Sequence, residues 1–193
     1  MAPAVAQPSI ISGSIERRGP ACKPVLWIMK DGRRVEIRSI SPDDEQRMIK
    51  FHKGLSERSV YMRYFASLSL AARTAHTRLS HICFADPLCE TVLIALHLDE
   101  RSGEQELVAV GRLTKLPDPN NAEVALLVLD RFQGLGLASE LLRQLIQAAR
   151  EQKIKRIQAE MLRDNTAVQK VFRKLGFHLR LIDPRSVRAA LNL

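Results

Sequence analysis

The sequence predicts a single α/β domain: a mixed, mostly antiparallel sheet with a parallel pair at its centre and helices on both faces. Three observations carry this. An apolar run, Ala122 to Asp130, leads into a glycine-rich turn and then a long amphipathic helix. A second strand-like run over 156–162 follows that helix directly, and strands joined by a crossover helix lie parallel. The earlier strand-like runs are joined by short turns and therefore pair antiparallel. No internal repeat or second domain interrupts the pattern, and 193 residues can bury one substantial core.

Residues 1 to about 23, rich in Ala, Pro, Ser and Gly without periodicity, read as a flexible arm, and the domain proper spans 24–193. Residues 25–30 and 34–40 are strand-like and flank Asp31-Gly32, which tolerates the positive dihedrals of a tight hairpin. Ser41-Pro42-Asp43-Asp44-Glu45 starts a helix: serine caps it, proline suits its first position, and the acids meet the positive dipole end. Helices are expected at about 42–55, 57–66 and 69–82. Residues 91–98 and 106–114 are β-rich and, joined by 99–105, should pair antiparallel. Lys115 to Asn121 holds two prolines and two asparagines, which cannot sustain a ladder, so it is a turn. After the central strand, a helix from Leu137 to about Gln152 aligns Leu141, Leu142, Leu145, Ile146 and Ala149 in one stripe. That stripe must cover a sheet face, with Glu140, Arg143, Gln144 and Arg150 largely opposite. A strand over 156–162, a short helix over 166–175 ended by Gly176, and a strand over 177–182 complete the order.

The turn at Gln133-Gly134-Leu135-Gly136-Leu137-Ala138 carries the chemistry. Glycine lets a ligand approach the backbone closely, and the free N–H groups at a helix start favour an anion, so the turn suits a pyrophosphate. It matches neither common phosphate motif: there is no G-x-x-x-x-G-K, and G-x-G-x-x-G fails because Gly136 is followed by Leu137, Ala138 and Ser139.

With its flanks, the remaining pattern resembles the signature of the GNAT superfamily of N-acetyltransferases: Gln or Arg, two residues, Gly, one residue, then Gly or Ala. Gln133, Gly136 and Ala138 hold its fixed positions. A second block of that family, an Asn, a helix and a K-x-G-F close, is matched by Asn165 to Phe177. The resemblance covers residues 33 to about 182 and implies a GNAT-like domain whose central strand and 156–162 strand splay apart to admit the pantetheine arm of acetyl-CoA. It implies backbone pairing from Leu127, Val128 and Leu129, and pyrophosphate contacts from Gln133 and the amides of Gly134, Leu135, Gly136, Leu137, Ala138 and Ser139. Asn165 and Phe172 would line the thioester end. The plain alternative for Leu127 to Leu129 is core strand, which is compatible because the role uses backbone. In the first half, Asp31-Gly32-Arg33, Ile37-Arg38, Ser41-Pro42-Asp43-Asp44 and Leu55 to Phe65 resemble bacterial protein lysine acetyltransferases that modify acyl-CoA synthetases. That likeness implies a protein lysine as acceptor. Arg63, Tyr64 and Phe65 then belong to its acceptor side, or else to simple helix packing.

An ammonium ion cannot attack a thioester, so a base is expected on the amine side of the gap. Glu123 is the candidate, an acid beside the apolar run Val124 to Leu129, where loss of water would make it a better proton acceptor near working pH. It also resembles the base of lysine-acetylating relatives; a solvated strand-entry carboxylate is the other reading. Many relatives use a Tyr as general acid where this chain has Phe172. Phe has no proton to give, so the leaving group must take one from water or elsewhere.

The net charge of +9 and pI near 9.9 admit a nucleic acid, an anionic membrane or a polyanionic ligand as partner. No helix-turn-helix, zinc-finger or aromatic-stacking motif supports the first, whereas coenzyme A is itself polyanionic. Cys22, Cys83 and Cys89 are odd in number and irregularly spaced, so free thiols are expected rather than a disulfide scaffold or, with His81, a metal site. With no signal-like amino terminus and no membrane-length apolar run, a cytoplasmic protein is expected. An acetyl-CoA-dependent enzyme acting on a protein lysine leads, followed by one acting on a small amine, and by an acyl-CoA sensor with the fold and little catalysis.

Overall fold

The Asp31-Gly32 turn joins β1 (Val25–Ile28) to β2 (Arg34–Ser39), which pair antiparallel with Trp27 opposite Val35. This computed structural model describes residues 23–99 and 103–193, so the expected arm before Lys23, Cys22 and residues 100–102 lie outside the described residues. A short 3-10 turn, Pro42–Asp44, opens α1 (Glu45–Lys53), and α2 (Glu57–Tyr64) follows with the Ser56 side chain capping it from Ser59 N–H. The single helix expected over 69–82 is two, α3 (Leu70–Thr74) and α4 (His76–Cys83). Ala75 is extended, with φ −58° and ψ 130°, and breaks them. Three strands run next, β3 (Glu90–Leu98), β4 (Gln105–Lys115) and β5 (Asn121–Val128), then α5 (Leu137–Glu151), β6 (Arg156–Leu162) and α6 (Thr166–Lys174). Strands β7 (His178–Leu181) and β8 (Ser186–Asn192) end the chain.

All eight strands form one sheet in the order β1-β2-β3-β4-β5-β6-β8-β7, antiparallel at every join except the parallel β5–β6 pair. β8 is absent from the sequence reading, and it changes the topology. It slips between β6 and β7, so the strand expected over 177–182 lies at the sheet edge. The alternation that builds it is readable afterwards: Val187 and Ala189 are buried, Arg188 and Ala190 less so. Asp183 reverses the chain into it, accepting from the Arg185 N–H at 2.7 Å.

Helices cover both faces. The stripe of α5 is buried as expected, with Leu141, Leu142, Leu145 and Ala149 at 0 % exposure, and it lies across β3, β4 and β5. Gly111 on β4 is what lets it lie so close. A Cβ there would sit 2.9 Å from Leu145 Cδ1 and 3.2 Å from Leu126 Cδ2, inside van der Waals contact. On the opposite face α1 packs on β4 and α2 on β5 and β6, with α3 and α4 against α1 as a helical cap. Cys83, in α4, is buried and its thiol is pushed up to about 11 by burial and by the charges of Asp44 and Glu45; Cys89 is exposed. Among the described residues no helix is long and apolar enough to cross a membrane.

One buried carboxylate fastens the cap to the sheet. Asp44 is fully buried and accepts from both terminal nitrogens of Arg38 on β2 at 2.7 and 2.8 Å, from Ser41 N–H at 2.9 Å, from Ser41 Oγ at 3.1 Å and from Arg47 at 3.0 Å. Burial works to raise this carboxyl, but the Arg38 and Ser41 donors outweigh it and hold it below the ordinary value. Its stabilising charge is therefore present above the ordinary carboxylate range and is lost only as pH falls through the lowered value. Asp44→Ala should cost roughly 3–5 kcal/mol at pH 7, because it strands two arginines beside a buried helix start. Urea unfolding of both proteins from pH 7 down to about pH 3 checks this, and the difference should begin to shrink below about pH 4, where the unfolded carboxyl takes a proton that the native one still refuses.

Candidate active site

β5 is held on one side and released on the other. With β4 it pairs from Ala122↔Lys115 to Val128↔Ala109, but with β6 it pairs only at Asn121↔Arg156, Ala122↔Ile157 and Glu123↔Gln158. Beyond that last rung the strands part, while β6 stays paired with β8 along its whole length. The backbone of an antiparallel strand faces its two neighbours alternately. Leu129 N–H donates to Val108 O at 2.9 Å, and Asn121 O accepts from Leu116 N–H, so odd positions face β4. Asn120 O accepts from Arg156 N–H, so even positions face β6. Of the three residues expected to offer backbone to pantetheine, Val128 alone turns into the gap. Leu127 and Leu129 face β4, and Leu126 faces the gap beside Val128.

The glycine turn closes the far end of this gap. A short 3-10 turn, Asp130–Phe132, leads to Gln133, Gly134 with φ +76° and Gly136 with φ +96°. Gly136 is the cap residue of α5 and brings no side chain to it. Among the described residues, the N–H groups of Gly134, Leu135, Gly136, Leu137, Ala138 and Ser139 have no backbone acceptor. They form the bare, positive helix start the sequence implied. Gln133 turns inward instead of outward: its Nε2 donates to Val128 O and to Ser59 Oγ, both at 3.1 Å. Asp130 accepts from Ser56 N–H and from the hydroxyls of Ser56 and Ser59 at 3.0, 2.6 and 2.8 Å. Burial tends to raise this carboxyl, and those donors outweigh it and hold it low. Turn and cap are thus tied together.

Two residues here escape sequence reasoning because they arrive from a distant hairpin. Lys30 N–H donates to Leu135 O at 3.2 Å, and a Cβ on Gly136 would meet Trp27 Cη2 at 3.0 Å and Lys30 Cε at 3.9 Å. The hairpin buttresses the turn and sets a cation beside it. No local signal near residue 136 announces either residue.

At the near end of the gap stands Glu123, on the last paired rung and on the sheet face that α2 covers. Its side chain is exposed, so the desolvation expected from the neighbouring run does not occur. Arg63 of α2 is within electrostatic reach of it. Across the gap, Asn165 Oδ1 caps α6 by accepting from Val168 N–H at 3.4 Å. Phe172 is 2 % exposed and packs edge-to-face on Phe177, with ring centroids 4.8 Å apart. Its ring belongs to the core behind the gap.

A backbone-lined slot between parting parallel strands, with a turn of unpaired amides at one end and a carboxylate at the other, fits an acyl-group transferase. Residues 34–178 match the model of the acetyltransferase (GNAT) domain family, and the chain belongs to that family. It is 28 % identical to an acetyltransferase of Pseudomonas aeruginosa over 153 residues, covering 78 % of this chain and 80 % of that one. The GNAT domain of S. lividans PAT is similar at 30 % identity and TM-score 0.77, over 88 % of this chain and 97 % of that one. Mycobacterium smegmatis RimJ, solved in complex with CoA-disulfide, shares the fold at 14 % identity and TM-score 0.70, over 88 % and 86 % of the two chains. The protein is an acetyl-CoA-dependent N-acetyltransferase.

Gly136→Ala should destabilise the free protein by roughly 1–3 kcal/mol through left-handed strain, with the Trp27 contact added. Gly134→Ala should fall at the low end of that range, because nothing lies within 4 Å of its Cβ position. Denaturant unfolding of the two variants tests the order; equal losses would mean that Trp27 moves aside freely.

Proposed function

We propose that the chain transfers an acetyl group from acetyl-CoA to a primary amine, foremost a protein lysine side chain, by direct attack in a ternary complex in the cytoplasm. The position of Glu123 carries this reading: it is the last residue paired with β6 before the gap opens, on the face covered by α2. The likeness to the GNAT domain of S. lividans PAT and the Leu55 to Phe65 resemblance support lysine as the acceptor.

The residues present fit acetyl-CoA. The bare amides of Gly134 to Ser139, with Lys30 beside them, would take the pyrophosphate. Leu126 and Val128 would pair with pantetheine as an added strand would. The Val128 carbonyl keeps a second lone pair beside the Gln133 amide, so it can serve both. Glu123 takes a proton from the incoming ammonium, directly or through a water, and its exposure gives solvent the means to carry that proton away. Arg63 favours the same loss, since a nearby cation destabilises an ammonium more than a neutral amine. The amine nitrogen then bonds to the thioester carbon and loses its surplus proton to water, the carbon–sulfur bond breaks, and the thiolate takes a proton from solvent because Phe172 has none.

Glu123→Gln should lower kcat by roughly 10²- to 10⁴-fold while leaving acetyl-CoA affinity nearly unchanged. The variant should recover in part at high pH as the amine deprotonates unaided. Equal turnover of variant and wild type at neutral pH, with chemistry rate-limiting, would remove Glu123 from the mechanism. Gly136→Glu should abolish acetyl-CoA binding in calorimetry by bulk and by charge repulsion, and unchanged affinity would move the pyrophosphate elsewhere.

A further inference from the structure

The helical cap beside Glu123 holds more positive charge than its own residues neutralise. His52 of α1 is 1 % exposed and Arg73 of α3 is 3 % exposed. Arg73 has one carboxylate partner, Glu57 of α2, at 2.8 Å from its Nη2. Its Nε and Nη1, the Nε of Arg78 in α4 and the Nδ1 of His52 are all buried with no hydrogen-bond partner. These groups lie close together. The charges of Arg78 and Arg73 add to the burial that holds His52 down to about 4, so its ring is neutral near pH 7. Arg78 and Arg63 both stack on the Tyr64 ring, their guanidinium carbons 4.8 and 5.0 Å from its centroid. Arg63 in turn is within electrostatic reach of Glu123, Arg112 and Arg78. Arg112 is already matched, by Glu90. Among the described residues neither Arg63 nor Arg78 has an ion-pair partner.

A buried donor without an acceptor costs about 1–3 kcal/mol, and more when it is charged. Three guanidinium nitrogens, two of Arg73 and one of Arg78, stand in that position beside the neutral ring of His52. A planar carboxylate is the acceptor that guanidinium groups match best, through paired N–H donors. The half-buried Arg63 and Arg78 keep the region open toward Glu123, the end where the amine must enter.

We propose that Arg63 and Arg78, flanking Tyr64 and backed by Arg73 and His52, form a carboxylate site for the acceptor, so that the preferred amine travels with a carboxylate. This rests on the transferase reading above, and the carboxylate has two sources: an acidic side chain beside an acceptor lysine, or the α-carboxylate of a free amino acid.

Steady-state kinetics separate these with four acceptors: an end-blocked peptide with Glu on both sides of its lysine, the same peptide with Gln, free lysine, and lysine amide. Wild type should show a KM about tenfold or more lower for the Glu peptide than the Gln peptide if the source is a side chain. It should show the same margin for lysine over lysine amide if the source is an α-carboxylate. Arg78→Gln, at a half-buried position that should still fold, should erase the margin by raising KM for the acidic acceptor alone, with acetyl-CoA affinity kept; Arg63→Gln should erase the same margin while also slowing turnover of every acceptor. Calorimetry with the same acceptors carrying an already acetylated lysine side chain reads the preference without turnover. An acidic preference in binding with no CoA released from any acceptor would leave the carboxylate site standing and overturn the transferase reading. Turnover with no difference within either pair, or a preference that survives both substitutions, would overturn the carboxylate site alone.

Discussion

The parting of β5 from β6 after Glu123 is the constraint on which the rest of the architecture depends. Each strand is anchored on its outer side, β5 to β4 from Ala122 to Val128 and β6 to β8 from Arg156 to Leu162, so neither can bend to close the gap. Beyond Glu123 the inner edges of both have no strand partner, although Gln133 holds the Val128 carbonyl and Asn165 the Leu162 carbonyl, and a folded protein avoids such edges unless something else supplies the missing bonds. An elongated ligand with amide groups along its length meets that need better than water does. The glycine turn, the bare start of α5 and the cap beside Glu123 all lie at one end or the other of that slot.

What was legible in the sequence is what is local. Asp31-Gly32, the Leu141 to Ala149 stripe and the glycine turn each declare themselves within one turn or one helix. The break at Ala75 has no proline or glycine to mark it, and β8 was missed because alanines at 189 and 190 carry little strand signal. Partner choice was also invisible. Leu127, Val128 and Leu129 look alike as a run, and only the register with β4 decides that Val128 faces the gap. Glu123 was located but its environment was not, since the water around it depends on the cap and not on its apolar neighbours. Phe172 was read as lining the site, and its contact with Phe177 shows that its ring packs in the core. Lys30, Trp27, Arg73 and Arg78 come from segments about forty to one hundred residues upstream of the slot, beyond the reach of any spacing rule.

The cap and the glycine turn are mechanically one piece. Asp130 holds the amino terminus of α2 through Ser56 and Ser59, and Gln133 reaches the same Ser59 while bonding Val128. A ligand that reshapes the turn therefore pulls on the helix carrying Arg63 and Tyr64. Asp44 anchors the other end of the cap to β2, so the cap has one fixed and one ligand-linked attachment.

The two described cysteines differ in a way that matters at the bench. Cys89 is exposed, whereas Cys83 is buried with its thiol pushed up to about 11. Only thiolates react quickly with disulfide dyes or maleimides. In a Cys22→Ser background, a colorimetric reading of liberated coenzyme would therefore carry a background from Cys89 and none from Cys83, and the same contrast makes Cys89 an attachment point for a single fluorophore at the start of β3.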